Sequence, residues 1–407
     1  MNCAAITPSS VASPVRAERL SPNAAFYLLA SITVSFLAAS AAPTPLYPLY
    51  QAEWGFSAIT VTLVFGVYAI AVLGALLVVG KLSDHLGRRP VLAAAIALQA
   101  VTMLIFASAD SVSGLMTARI VQGLSTGAAV AAVGAGLLDL DKVRGTLANS
   151  VAPMAGTASG GIGAGLMVQY LPAPTELIYL ALGGVLLLQG VGIAMMSEST
   201  MPRPGALASL RPQFRLPHAV RVPFLLVIPA LVATWAMAGF YASLGPAVVR
   251  SLFDSQSLLL GGVALFVLAG SGVASVLFFR NQDARTMLMI GASSLFIGAG
   301  ITVAAVTLRE PTVFFAGTIL AGIGFGNGFQ GAVRSVVPLV APTERAGLLS
   351  VVFVVSYLAM GVPAVVAGYL IVQGGALFDI ARGFGVAVMA LSALVPLGMR
   401  WAAPRTA

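Results

Sequence analysis

The sequence predicts an all-α membrane protein that crosses the bilayer twelve times, in two pseudo-symmetric six-helix bundles around a central cavity. Three observations carry this. Of 407 residues, 59% are hydrophobic and only 8% charged, and mean hydropathy is +0.99. A soluble domain carries about 25% charged residues; a chain this apolar could not cover its own core, so lipid must be its solvent. Apolar runs recur along the chain at lengths near the roughly 20 residues a spanning helix needs. Lys and Arg fall mostly in alternate connections between those runs. Backbone in lipid must satisfy its own hydrogen bonds, and no alternating barrel pattern is visible, so the runs are helices.

In order, the first run covers 24–46. It is too long for a signal-peptide core and more spans follow at once, so it reads as a retained helix; Pro43, Pro45 and Pro48 make its end irregular. Runs at 58–79 and 90–107 flank a charged stretch, Gly80 to Pro90. Asp110 precedes 112–138, the Asp139–Arg144 charges separate it from 147–171, and Glu176 precedes 177–196. A polar, proline-rich connector at 197–221 divides the chain. Then come 222–249, 258–279, 287–308, 312–333, 348–372 and 384–401, separated by Arg250 to Asp254, Arg280 to Arg285, Arg309 with Glu310, Arg334 to Arg345, and Asp379 with Arg382. The expected organisation is therefore a tail (1–23), a first bundle (24–196), a linker (197–221), a second bundle (222–401) and a tail (402–407).

With both termini inside, all but four of the 21 Lys and Arg fall in cytoplasmic segments, including Arg16, Arg19, Arg215 and Arg405. The exceptions are Arg250, Arg309 and Arg382 outside and Arg119 within a span. The opposite orientation would violate the positive-inside rule, and an odd span count would spoil the asymmetry. The net charge of +8 thus serves topology rather than nucleic acid. Cys3 is the only cysteine, and His85 and His218 are the only histidines, both in expected loops. No disulfide, metal centre or His-based catalysis is expected, and no phosphate-binding loop is present. No cofactor is expected, and the chain does not read as an enzyme. The halves are weakly similar: a shift of 199 residues aligns Asp84 with Asp283, Gly123 with Gly322, and Gly127 with Gly326.

The stretch Gly80-Lys81-Leu82-Ser83-Asp84-His85-Leu86-Gly87-Arg88-Arg89-Pro90 resembles the signature loop of the major facilitator superfamily between spans two and three. Gly80 permits close helix approach and Gly87 a tight turn. Asp84 suits backbone donors at a helix N-terminus in the other half, and Arg88 suits an acid at the end of span four, Asp139 or Asp141. The resemblance implies the major facilitator fold and a network that latches the cytoplasmic side shut in the outward-facing state. The counterpart around Asp283 and Arg285 is degraded.

Arg119, Gln122 and Gly123, early in span four, are similar to that family's Arg-x-x-Gln-Gly motif, associated with coupling in proton-driven members. A charge inside a span is costly and marks a functional candidate: Arg119 could hold an anionic substrate group or bias a neighbouring acid, or it could snorkel to the interface. In span five, Pro153, Gly156, Gly160, Gly161 and Gly165 resemble a degenerate antiporter motif of twelve-helix drug/proton exporters. Glycine-mediated packing alone would explain the same residues. Cavity candidates are Tyr68, Asn149, Trp235, Tyr241, Asn327, Gln330 and Tyr357, whereas Tyr27, Tyr47 and Tyr50 read as interfacial belt residues.

No Asp or Glu sits mid-span, which argues against a strongly cation-selective pump. The expected function is alternating-access secondary transport, with proton-coupled export of a small amphipathic, neutral or anionic organic compound. The expected site is a bacterial inner membrane, the expected partners a small-molecule substrate, protons and lipid, and the expected state a monomer. The alternatives are an importer of a small organic acid or metabolite, and a non-transporting sensor or scaffold on the same fold.

Overall fold

The computed structural model describes residues 20–402 apart from 215, 342 and 343, with 401 and 402 described as backbone only. The tails' residues 1–19 and 403–407, with Cys3, Arg16, Arg19 and Arg405, and Arg215 of the connector lie outside the described residues. Twelve helices are long and apolar enough to cross a membrane. They are α1 (Pro22–Ala41), α2 (Ala58–Val79), α3 (Arg88–Ala107), α4 (Val112–Leu140), α5 (Lys142–Tyr170), α6 (Leu177–Met195), α7 (His218–Ser243), α8 (Leu259–Phe279), α9 (Ala284–Leu308), α10 (Pro311–Val336), α11 (Arg345–Val372) and α12 (Leu377–Ala402). No strand occurs among the described residues.

Capping chemistry sets several starts that hydropathy misplaces. The Ser21 and Ser111 hydroxyls accept from the amides of Ala24 and Gly114, opening α1 and α4. Asp141 accepts from the amides of Val143 and Arg144, so α5 begins five residues before its apolar run. Asp283 caps α9 through Thr286. Its carboxyl lies below the usual carboxylate range because the Thr286 amide and hydroxyl donate to it. Such caps satisfy amides that have no partner inside the helix.

The expected run 24–46 is not one helix. α1 ends at Ala41, a 3₁₀ turn follows at Thr44–Leu46, and a short helix, Tyr47–Trp54, continues. Pro43, Pro45 and Pro48 lack the amides a continuous helix would need. The run 222–249 breaks likewise: α7 stops at Ser243 and Gly245–Leu252 forms a separate helix with Pro246 in its first turn. α12 starts at Leu377, seven residues before the expected 384. The connector holds a one-turn helix, Ala206–Ser209.

Packing repeats after six helices. In the first half α1 packs on α4, α5 and α6, α2 on α4, and α3 on α4 and α6; in the second, α7 packs on α10, α11 and α12, α8 on α10, and α9 on α10 and α12. The aligned glycines make the same contact twice. Side chains on Gly123 and Gly127 would strike the α2 backbone at Tyr68 and Val72, and side chains on Gly322 and Gly326 the α8 backbone at Leu268 and Gly272. Two pairs, α2 with α11 and α5 with α8, carry most of the contact between halves. Large apolar side chains such as Leu188 and Phe278 are exposed on the outer surface, as lipid-facing positions require.

Candidate functional site

At one end of the bundle the Gly80–Pro90 loop folds around Arg88. Its side chain is nearly buried and donates from Nη1 to Ser83 Oγ (2.7 Å) and Asp84 Oδ1 (2.5 Å), and from Nε to Asp139 Oδ2 (3.0 Å). Asp141 is spent on capping α5, so Asp139 is the partner from α4. Gly87 has φ +98°, open to glycine at little cost. A side chain there would also strike the Glu198 carboxylate. Gly80 plays a different part from the expected helix contact: a Cβ there would hit the Leu76 carbonyl of its own helix.

Glu198, from the connector, accepts from the backbone amides of Arg88 (2.7 Å) and Arg89 (3.0 Å) and so caps α3 from outside. Arg89 in turn donates to the carbonyls of Ile193 and Ala194 at the end of α6. Ser199 and Thr200 donate to Asp139, Arg203 N donates to the His85 carbonyl (2.8 Å), and Lys81 reaches Gln213. The connector is thus stitched to the first half's loop. Among the described residues Asp84 accepts from Arg88, and it is half exposed. No hydrogen bond or ion pair joins it to a described residue of the second half.

The other end is where the halves are tied. Thr44 Oγ1 donates to the Ala242 carbonyl (3.1 Å), and Ser257 Oγ donates to Gln169 Oε1 (3.0 Å). α2 meets α11 where Thr62 and Ile59 lie against Gly368. Among the described residues no hydrogen bond or ion pair joins the two six-helix halves at the end holding the Gly80–Pro90 loop. The α5 glycines serve two partners. Gly156 and Gly160 face the α1 backbone at Val34 and Ala38, while Gly161 and Gly165 face Leu265 and Leu259 of α8 across the interface. Pro153 sits inside α5 without ending it.

Arg119 is sealed, with no exposed surface. Four of its hydrogen bonds are satisfied locally: Nε and Nη2 donate to Tyr47 Oη (3.2 and 2.5 Å), and Nη1 donates to the Ser40 carbonyl (2.9 Å) and Gln122 Oε1 (2.6 Å). The guanidinium also lies over the Tyr68 ring, 5.1 Å from its centroid, an attraction between cation and ring quadrupole. Gln122 Nε2 donates on to the Ala39 carbonyl. No described carboxylate pairs with Arg119. It therefore does not snorkel to the interface. Tyr47 and Tyr50, expected at an interfacial belt, are buried instead, because the prolines fold the end of the first span inward; Tyr27 is exposed.

The cavity candidates separate by environment. Tyr68 donates to Ser40 Oγ (2.9 Å), Tyr241 shares a hydrogen bond with Thr318 (2.7 Å), and Asn327 donates to Ser275; all three are buried and find these partners within their own halves. Asn149 is half-buried and donates to the Gly134 carbonyl (3.0 Å). Trp235, Gln330 and Tyr357 are also half-buried. Trp235 and Tyr357 border the contact in which Phe65 and Ala69 of α2 meet Met360 and Ala364 of α11.

Residues 28–362 match the sequence model of the Major Facilitator Superfamily. The chain belongs to the major facilitator superfamily. It is accordingly a multi-pass membrane transporter of small molecules rather than an enzyme. Its sequence is 24% identical over 319 residues to the multidrug resistance protein MdtL of Klebsiella pneumoniae, covering 74% of this chain and 77% of that protein. MdtL of Escherichia coli is 24% identical over 296 residues, covering 69% and 73%. The structure superposes on the nucleoside transporter NupG with a TM-score of 0.68 at 12% identity, covering 92% of this chain and 99% of that one, and on a mutant form of NupG with a TM-score of 0.72 at 10% identity. At that identity the likeness is one of fold.

Within this superfamily member, sequence reasoning missed three partners. Glu198 lies in a connector whose path hydropathy does not encode. Tyr47 and Ser40 reach Arg119 only because the chain bends after Ala41, and the proline cluster was the available signal.

Proposed function

We propose that the chain is an alternating-access exporter of a small amphipathic organic compound, neutral or anionic, driven by proton entry. The halves, 24–196 and 222–401, rock about the central interface, with both termini on the cytoplasmic face of a bacterial inner membrane and the chain working as a monomer. The carrying observation is the asymmetry of the ties between halves. They are hydrogen-bonded at one end, while Asp84 at the other is paired, among the described residues, within its own half. With the Gly80–Pro90 loop placed in the cytoplasm by its positive charge, this arrangement suits an inward-facing state in which the family's latch is disengaged. The likeness to proteins named multidrug resistance protein MdtL supports the export direction. Arg119, sealed against Tyr47, suits a coupling role more than direct contact with substrate.

The test is compound accumulation in a sensitised bacterium overproducing the protein. Accumulation of some amphipathic compounds is expected to fall, and a protonophore is expected to restore it. A rise in accumulation would replace export with import. No change, together with a single conformational state by distance measurement, would leave only a scaffold.

A further inference from the structure

We propose that the interface-facing wall of the second half is a recognition shelf for an uncharged, planar aromatic ligand that carries a hydrogen-bond acceptor. This rests on reading the chain as a carrier of small organic compounds and narrows the class. Trp235 of α7 is the centre of the shelf. Its ring lies 5.5 Å from Phe329 of α10 at 74° and 5.0 Å from Tyr357 of α11 at 50°. Tyr357 continues to Phe353 at 6.5 Å. These four rings are half-buried, unlike Phe240, Tyr241 and Phe314 of the same half, which are sealed. Centroid spacings of about 4.5–7 Å are those at which aromatic rings attract, and a planar ligand adds one more ring to the series.

Two polar groups stand unused. The Trp235 indole N–H is buried and finds no acceptor among the described residues. Gln330, beside Phe329, is half-buried and makes no hydrogen bond among them. An unpaired buried donor costs free energy that an acceptor on a ligand recovers.

Charge decides the rest. No Asp or Glu sits mid-span, and Arg119 is closed off by Tyr47, Ser40 and Gln122, so no fixed charge meets the ligand. A charged ligand would lose its hydration without gaining a partner. Packing alone does not demand the cluster either. By the 199-residue shift the positions equivalent to Trp235 and Phe329 in the first half are Phe36 and Val130, and Phe36 is sealed.

The test is equilibrium binding of radiolabelled probes to the full chain in lipid nanodiscs, with no gradient and with empty nanodiscs as the partition control. The probes share one ring plane: acridone, N-methylacridinium and acridone-4-carboxylate. Saturable binding of acridone at least tenfold tighter than either ion is expected. Trp235→Ala should weaken it at least tenfold, Trp235→Phe, which keeps a ring but removes the indole N–H, severalfold, and Gln330→Ala severalfold. Monodispersity of each variant separates lost binding from lost folding, and Gln330→Ala carries the test should Trp235→Ala fail to fold. Equal or tighter binding of an ion, no saturable acridone binding, or wild-type affinity in the properly folded variants would overturn the shelf. Because no gradient is imposed, the expected binding pattern without proton-driven efflux would keep the shelf and sink only the export reading.

Discussion

Tyr47 accepts two hydrogen bonds from a guanidinium that no described carboxylate balances, in surroundings closed to solvent. Removing the hydroxyl leaves those donors unsatisfied, at a cost of about 1–3 kcal/mol, or more for a charged group. Tyr47→Phe is therefore expected to lower the unfolding temperature of the detergent-purified protein by several degrees. Tyr27→Phe, on an exposed ring, should leave it unchanged; equal effects would show that the Tyr47 hydroxyl does not hold Arg119. Arg119 itself was legible from sequence because a charge inside an apolar run is conspicuous. Its environment was not: whether it met substrate, lipid headgroups or its own helix neighbours depended on a bend twelve helices' worth of hydropathy could not register. The same limit applied to Asn327 and Tyr241, whose polarity suggested a cavity but whose partners, Ser275 and Thr318, lie within the second half.

Among the elements, α5 shows how closely residue size is matched to helix approach. Gly160 lies against the Ala38 carbonyl of α1, whereas Gly163 three residues on has nothing near it. Gly160→Val would force α1 and α5 apart and is expected to destabilise the fold by about 1–3 kcal/mol and to abolish transport. Gly163→Ala should be tolerated or slightly stabilising, since alanine favours helix. Thermal unfolding of both variants checks this, and a tolerant Gly160→Val would mean that α1 and α5 can separate without loss. The glycine positions were legible, yet their allocation between α1 and α8 was not, because α5 is apolar on every side and its rotation leaves no trace in the sequence. Helix number was legible for the converse reason: uniform apolarity over some 20 residues is itself the signal. Starts set by Asp141 and Asp283 fell outside those runs because capping residues are polar.

For the whole molecule, ties between halves at one end and an Asp84 paired with Arg88 of its own half at the other imply a second state with the pattern reversed. Spin labels on a Cys3→Ser background, one pair at His85 and Arg285 and one at Gln169 and Ser257, are expected to report opposite changes. The first distance should shorten as the second lengthens on adding a transported compound. Distances that move together, or not at all, would exclude rocking about the interface. The repeat that makes such rocking feasible is nearly complete in packing but not in electricity. At the position in α10 equivalent to Arg119 stands Thr318, bonded to Tyr241. One body thus carries a buried elementary charge at this position and its twin carries a neutral hydroxyl. A charge moved across the full membrane field exchanges about 2.3 kcal/mol per 100 mV, and rocking that shifts Arg119 through part of the field exchanges that part. Turnover of an uncharged solute, measured as exchange at equal pH on both sides, should then respond to voltage, and Arg119→Gln should flatten the response. A response unaltered by the substitution would mean that the charge stays fixed in the field. In electrical terms, one half of this carrier would be a voltage sensor and the other its neutral frame.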